Sequence, residues 1–300
     1  NTMAFLPQGS VAYQQYVKNN DYSIATYLKS KGYDTIAMHP YNASGWDRDK
    51  VYPLLGFDTF YSLKDWVNPV KIRKYVSDQS CYDKIIELYE QKDANTPFFL
   101  FNVTMQNHSS YSEEYDNFHP DITVEGTSSK ILPNYLSLIK LSDQALENLI
   151  EYFSQADEDT IIVFFGDHQP NLPEDFYNTL LESQRGDLSD AELRQKKMVT
   201  PFFIWANYDI EEQTNMQISA NYLSAYALNA LGCSTSGFDQ MRLALQQQIP
   251  VMNVNGYRLP DDTWYPQSEQ PENDLLNDYH NAEYAQIFDA KNRSDEWYTP

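Results

Sequence analysis

The chain has 300 residues, 42% hydrophobic and 15% aromatic, which is enough to bury a substantial core and too apolar for a disordered segment. Its formal charge of −22 argues against a nucleic-acid partner, because nothing here would neutralise a phosphate backbone, and against recruitment by an anionic bilayer. In chain order, "YSIATYLKSKG" predicts a helix, residues 33–39 ("YDTIAMH") a strand, and "CYDKIIELYEQK" a second helix. A strand over 97–107, a helix over 134–153 and a strand over 160–166 follow, then a strand over 201–206 and helices over 220–231 and 238–248. The strand segments are short, continuous apolar runs, the pattern of strands buried on both faces. Strands alternating with amphipathic helices predict an α/β fold, a mainly parallel sheet sandwiched by helices. The expected organisation is one α/β domain over residues 1–250, followed by a polar, aromatic-dotted tail or small α+β subdomain over 251–300.

Ligands of open parallel sheets sit beyond the carboxyl ends of the strands, and each polar cluster of this chain falls at such an end. The first strand runs into "HPYNASGWDRD", which contains His39, Trp46, Asp47 and Arg48. The second runs into "TMQNHSSY", with Asn107 and His108. The third, "TIIVFFGDHQP", stops at Asp167 and His168. Three of the five histidines therefore occupy strand exits, while His119 and His280 lie in loop-like or tail sequence.

Asp167 offers a hard oxygen and His168 a borderline nitrogen, a pair that suits Mn²⁺, Zn²⁺ or Mg²⁺. Neighbours on a regular strand point to opposite faces, so both reach one ion only if the backbone turns there. Gly166 and Pro170 bracket the pair and favour such a turn. A buried Asp–His hydrogen bond, or a helix N-cap by Asp167, explains the same two residues without an ion. Arg48 beside Trp46 can grip a phosphate or sulfate against an indole wall; alternatively, Trp46 packs down and Arg48 pairs with Asp47 or Asp49. His108 can contact an anionic oxygen or protonate a leaving group, or it can simply cap a strand end. Cys81, at a helix start, and Cys233 read as structural; a bridge between them stays open. No run of about 18 apolar residues marks a membrane span, and no signal-peptide pattern opens the chain.

Taken together and in this order, "GYDTIAMHPYNASGWDRDKVYPLLGFDTFY", "TPFFLFNVTMQNHSSY" and "IIVFFGDHQP" resemble the sulfatase-like extracellular domain of the lipoteichoic acid synthase and phosphoglycerol transferase family, within the alkaline phosphatase superfamily. The similarity runs from "LPQGSVAYQQYV" through "TPFFIWAN" to "NAEYAQIFD", and the block "HPYNASGWDRDKVYPLLGFD" is its most specific part; "GDH" is shared more widely. The resemblance implies that Asp167 and His168 are two ligands of a single catalytic metal, usually manganese, with Mg²⁺ or Zn²⁺ as alternatives. It implies that His39, Trp46, Arg48 and His108 surround a glycerol-phosphate group, with His108 and Arg48 also serving the chemistry. The implied reaction moves glycerol phosphate from a phosphatidylglycerol headgroup, through a threonine nucleophile, to a glycerol-phosphate polymer or glycolipid on the extracellular face of the bacterial cell membrane.

The family's threonine and a glutamate ligand belong to segments ahead of "NTMAFLPQG", as do its membrane helices. Thr2 is not assigned as the nucleophile. By itself this chain is therefore expected to be inactive and to bind metal weakly, its only tie to a membrane running through those upstream helices. A sulfatase or phosphodiesterase of the same superfamily is the alternative, although neither Cys81 nor Cys233 stands in the Cys/Ser-x-Pro-x-Arg signature of sulfatases. A non-catalytic surface domain is a third reading, against which the intact Asp167, His168, Arg48 and His108 weigh.

Overall fold

The computed structural model describes residues 6, 10–125, 130–182 and 190–299; Thr2 lies outside the described residues. The chain divides into two compact bodies. One comprises Leu28–Thr160 and Pro170–Tyr177, the other Asn1–Tyr27, Ile161–Gln169 and Asn178–Pro300.

The first body is built on a three-stranded parallel sheet of β1 (Asp34–His39), β2 (Thr59–Ser62) and β5 (Phe98–Asn102), in the order β2-β1-β5. Ile36 of β1 stands opposite Thr59 on one side and Leu100 on the other. Parallel neighbours need crossovers, and the helix Arg48–Leu54 carries the chain from β1 to β2. A small antiparallel hairpin, β3 (Lys71–Ile72) and β4 (Tyr75–Val76), leads into the helix Asp78–Gln91, which returns the chain to β5 on the other side of β1. Ser77 starts that helix by accepting the backbone N–H of Ser80 at 3.1 Å. The helix Ile131–Ser154 packs against it, with Phe153 edge to face on Tyr89, and buries Ala145, Leu149 and Phe153 on one helical face, while Leu138 packs with Tyr111, Phe118 and Leu172. Each of these larger apolar side chains contributes about 1.5–3 kcal/mol by leaving water.

Two expectations needed correction here. β5 ends at Asn102, five residues short of the predicted 107: the Val103 N–H still donates to Met38 O at 3.0 Å, but its carbonyl turns to the His39 ring. The strands are also less uniformly buried than their composition suggests. Ala37 and Met38 of the central strand are fully buried, whereas every residue of β5, an edge strand of this sheet, is partly exposed.

In the second body, β6 (Ile161–Phe165) pairs with β7 (Phe202–Ala206). The pair is antiparallel, with Ile161 opposite Ala206 and Phe165 opposite Phe202, where the α/β pattern predicted a parallel neighbour. The chain leaves β6 and re-enters β7 at the same end, and that end is tied across the gap: Gly166 N–H donates to Pro201 O at 3.0 Å and Thr200 Oγ1 donates to Gly166 O at 2.8 Å. Helices Ala220–Ala230 and Gly237–Gln248 follow, the latter opened by a capping box of Ser236 and Asp239. The tail folds into an antiparallel sheet of β8 (Val251–Asn253), β9 (Gly256–Arg258) and β10 (Trp264–Pro266), in the order β10-β9-β8, and then the helix Asp274–Phe288. Its Met252, Tyr257, Leu276 and Tyr279 share one core with Tyr222, Phe238, Leu245 and Ile249. The α/β content with a C-terminal α+β element agrees with the expected class. Cys81 is buried, Cys233 is partly exposed, and neither is in a disulfide. Among the described residues, no helix is long and apolar enough to cross a membrane.

Candidate active site

His39 closes β1 and is 1% exposed. Its Nδ1 lies 2.9 Å from the Val103 carbonyl, which can only accept, so Nδ1 carries the proton and Nε2 keeps its lone pair. Burial pushes the imidazole pKa down to about 4, against the upward pull of the Val103 hydrogen bond and with help from the positive charges of Arg48 and His108. His39 is therefore a neutral acceptor at physiological pH. His39, Arg48 and His108 all belong to the first body.

Between β1 and the helix Arg48–Leu54 the chain turns through a short 3₁₀ segment, Gly45–Asp47. Trp46 (φ 58°) and Asp47 (φ 52°) both adopt left-handed conformations. For non-glycine residues this costs about 1–2 kcal/mol each, and it persists only where the surroundings hold it. The turn leaves the Trp46 indole 54% exposed instead of packed down. Asp47 pairs with Lys50 at 2.6 Å, not with Arg48. Arg48 donates from Nη1 to Gly45 O at 2.9 Å, and among the described residues no carboxylate forms an ion pair with it. A half-buried guanidinium without a counter-ion is a ready partner for an anion.

His108 follows β5 and is exposed. Its Nδ1 lies 2.9 Å from Ser109 O and 3.2 Å from the Tyr75 hydroxyl, again leaving Nε2 as the accepting nitrogen. Sequence reading missed the buried polar support beneath this loop. Ser142 Oγ donates to Asp78 Oδ2 at 2.5 Å and accepts from Gln106 Nε2 at 3.0 Å and Asn107 Nδ2 at 2.8 Å. Gln106 Oε1 in turn accepts the Asp78 backbone N–H at 3.0 Å. Burial raises the Asp78 carboxyl pKa, opposed by the Ser142 hydrogen bond. An acid one residue into a helix resembles ordinary capping, so nothing in its spacing marks it as a buried anchor.

Asp167 and His168 follow β6 in the second body and are open to solvent, with side-chain exposures of 72% and 73%. Neither a buried Asp–His pair nor an N-cap describes them, since the next helix begins at Glu174. The backbone turns there: His168 N–H donates to Asp167 Oδ1 at 2.9 Å, and His168 Nε2 comes within 3.5 Å of Asp167 Oδ2. His168 Nδ1 lies 2.8 Å from Gln169 O, so Nε2 is once more the nitrogen with a lone pair. An oxygen and an imidazole nitrogen on the same side fit a divalent ion of the Mn²⁺, Mg²⁺ or Zn²⁺ type. No group of three or more His, Cys, Asp or Glu side chains among the described residues forms a metal site, so two protein donors are what the described residues offer at this turn. All three strand-exit histidines thus present Nε2, each with Nδ1 tied to a backbone carbonyl. His280 lies instead on the helix Asp274–Phe288, half-buried, with its pKa lowered by burial.

The family model described as Sulfatase matches residues 3–233. A putative cyclic beta-1,2-glucan modification protein of Rhizobium meliloti is 29% identical over 98% of this chain and 47% of its own length. Lipoteichoic acid synthase 2 of Bacillus subtilis is 24% identical over 84% of this chain and 39% of its own length. The chain thus spans less than half the length of either relative. Among solved structures, the fold is shared with Streptococcus pyogenes phosphoglycerol transferase GacH in complex with sn-glycerol-1-phosphate, at a TM-score of 0.67 and 22% identity, over 94% of this chain and 69% of that one.

Proposed function

Because the chain belongs to the Sulfatase family, we propose that it acts in metal-dependent transfer of glycerol phosphate from the headgroup of phosphatidylglycerol to a hydroxyl of a cell-envelope polymer or glycolipid, on the extracellular face of a bacterial membrane. The observation that carries this reading is Arg48: a half-buried cation with no carboxylate partner among the described residues, in the same body as the neutral His39 and as His108. That set complements a phosphate monoanion bearing a small hydroxylated group. The names of the relatives, a lipoteichoic acid synthase and a glucan modification protein, support a phosphoryl donor and a carbohydrate or polyol acceptor.

In this reading Arg48 holds two phosphoryl oxygens bidentately and Trp46 walls the glycerol. Neutral His39 accepts a glycerol hydroxyl at Nε2. His108, through Nε2, moves a proton to the departing oxygen or from the attacking hydroxyl. Asp167 and His168 would hold the ion, Mn²⁺ before Mg²⁺ or Zn²⁺. When bound, such an ion would supply Lewis acidity and would lower the pKa of an oxygen nucleophile. The acidic surface is no obstacle when the protein is held at the bilayer by other means, because only the surroundings of Arg48 and the ion need be positive.

Two protein donors bind an ion weakly. The 300-residue chain is expected to take up Mn²⁺ with a Kd on the order of 1 mM, a gain of about 4 kcal/mol, and Asp167→Asn should remove that binding. Water-proton relaxation on titration with MnCl₂ reads it. Tight stoichiometric uptake, or a titration indifferent to Asp167→Asn, would overturn the assignment.

A further inference from the structure

We propose that Arg73 and Tyr75, both on the β3–β4 hairpin, are positioning residues that lock the ring of His108 with Nε2 as its reacting nitrogen. The proposal rests on the role given to His108 above, but its geometry stands separately. Arg73 sits at the hairpin turn in a left-handed conformation, φ 57°, and only 4% of it is exposed. Its guanidinium makes no ion pair with a carboxylate among the described residues. It donates from Nη2 to the carbonyls of Gln106 at 2.7 Å and His108 at 2.8 Å, and from Nη1 to that of Ser110 at 2.5 Å. The cation lies over the rings of Tyr75 and Tyr111 at 5.7 and 5.5 Å. A buried charge is thereby committed to the backbone of one five-residue segment, and His108 is the titratable side chain in it.

The hairpin also holds the ring. Tyr75 Oη lies 3.2 Å from His108 Nδ1, and the two rings meet edge to face at 5.7 Å. The carbonyl of Ser109 takes the Nδ1 proton at 2.9 Å, and the tyrosine hydroxyl directs its own hydrogen toward the same carbonyl at 3.4 Å. The 2.9 Å approach of Nδ1 to the Ser109 carbonyl is a hydrogen bond only when Nδ1 is protonated; otherwise two acceptors face each other. The hairpin is fixed in turn by Asn117, whose Nδ2 donates to Lys71 O and Arg73 O, both at 3.0 Å. From the other side, Gln106 is anchored to Ser142. Only a planar fork reaches three carbonyls at once; a lysine ammonium on this turn cannot reproduce that spacing.

Long-range ¹⁵N–¹H spectra of histidine-labelled chain, recorded above the imidazole titration range, report the tautomer of His108 directly. The wild type should show the Nδ1–H form, the opposite of free imidazole. Arg73→Lys and Arg73→Met should shift the population toward Nε2–H, and Tyr75→Phe should do so in part, with His39 unmoved and the melting curve still cooperative. If Arg73→Met does not fold, Arg73→Lys and Tyr75→Phe decide the question. Unchanged Nδ1–H in those two folded variants, or Nε2–H in the wild type, overturns the proposal whatever the enzyme does. In a transfer assay of the chain expressed with the upstream segment that the resemblance implies, Arg73→Lys should lower kcat about tenfold or more with KM little changed. Absence of transfer in the wild type would count against the proposed activity and leave the tautomer result standing.

Discussion

Arg48→Glu is expected to abolish binding of glycerol phosphate while leaving the fold intact. A bidentate, charge-assisted pair of hydrogen bonds contributes about 1.5–3 kcal/mol per bond. Deleting the fork with Arg48→Ala should therefore weaken affinity on the order of 100-fold or more. Reversing the charge goes further, since it places a carboxylate where the phosphate would lie and like charges repel. Stability has little at stake in the same change. The hydrogen bond Arg48 makes to the fold goes to Gly45 O, and an exposed or half-exposed bond of that kind contributes about 1 kcal/mol. Titration of the chain with sn-glycerol 1-phosphate, followed through the imidazole resonances of His39 and His108, reads the affinity, and thermal melts read the fold. Equal affinity in the wild type and Arg48→Glu would remove Arg48 from the anion site.

The second large effect concerns pH. His39 is held neutral, with its pKa lowered from 6.5 in the unfolded chain to about 4 in the fold. Between those values the unfolded chain takes up a proton that the folded ring refuses, so stability falls as pH falls. The contribution is complete above about pH 6.5 and is lost progressively toward pH 4, about 3 kcal/mol in total at 1.36 kcal/mol per unit. His39→Asn keeps a donor for the Val103 carbonyl but cannot titrate. Guanidinium unfolding at pH 7.5 and 4.5 should show the wild type losing about 2–3 kcal/mol more than His39→Asn over that interval. Parallel pH profiles for the two proteins would mean that His39 is protonated in the fold as readily as in the unfolded chain.

Much of the first body was legible because its signals are local and periodic. A continuous apolar run that breaks at His39 predicts a strand and its exit, and 134–153 carries a helical apolar stripe that the structure extends by only a few residues, to Ile131–Ser154. The turn at Asp167 could be read from Gly166 and Pro170 on either side. Direction of pairing could not be read from β6 and β7, since both runs have the same composition whether parallel or antiparallel; what decides is the tie between Gly166 and residues 200 and 201 across the gap. The hairpin that carries Arg73 has strands of two residues each, too short for any period, and its arginine reads as one more surface cation. Asp78, Ser142 and Gln106 are polar residues that became interior by satisfying one another, a relation between positions up to 64 apart. Pattern reading finds apolar faces; it does not find buried polar sets of this kind.

The chemistry itself is tested most directly by following a radiolabelled phosphatidylglycerol headgroup in membranes containing this chain expressed with the upstream segment that the resemblance implies, with Mn²⁺ and with a chelator. The expected result is release of diacylglycerol and passage of label to an acceptor in the presence of Mn²⁺, with both lost in Asp167→Asn and in Arg48→Glu. Release of label only as free glycerol phosphate, or transfer that survives the chelator and both substitutions, would contradict the assignment.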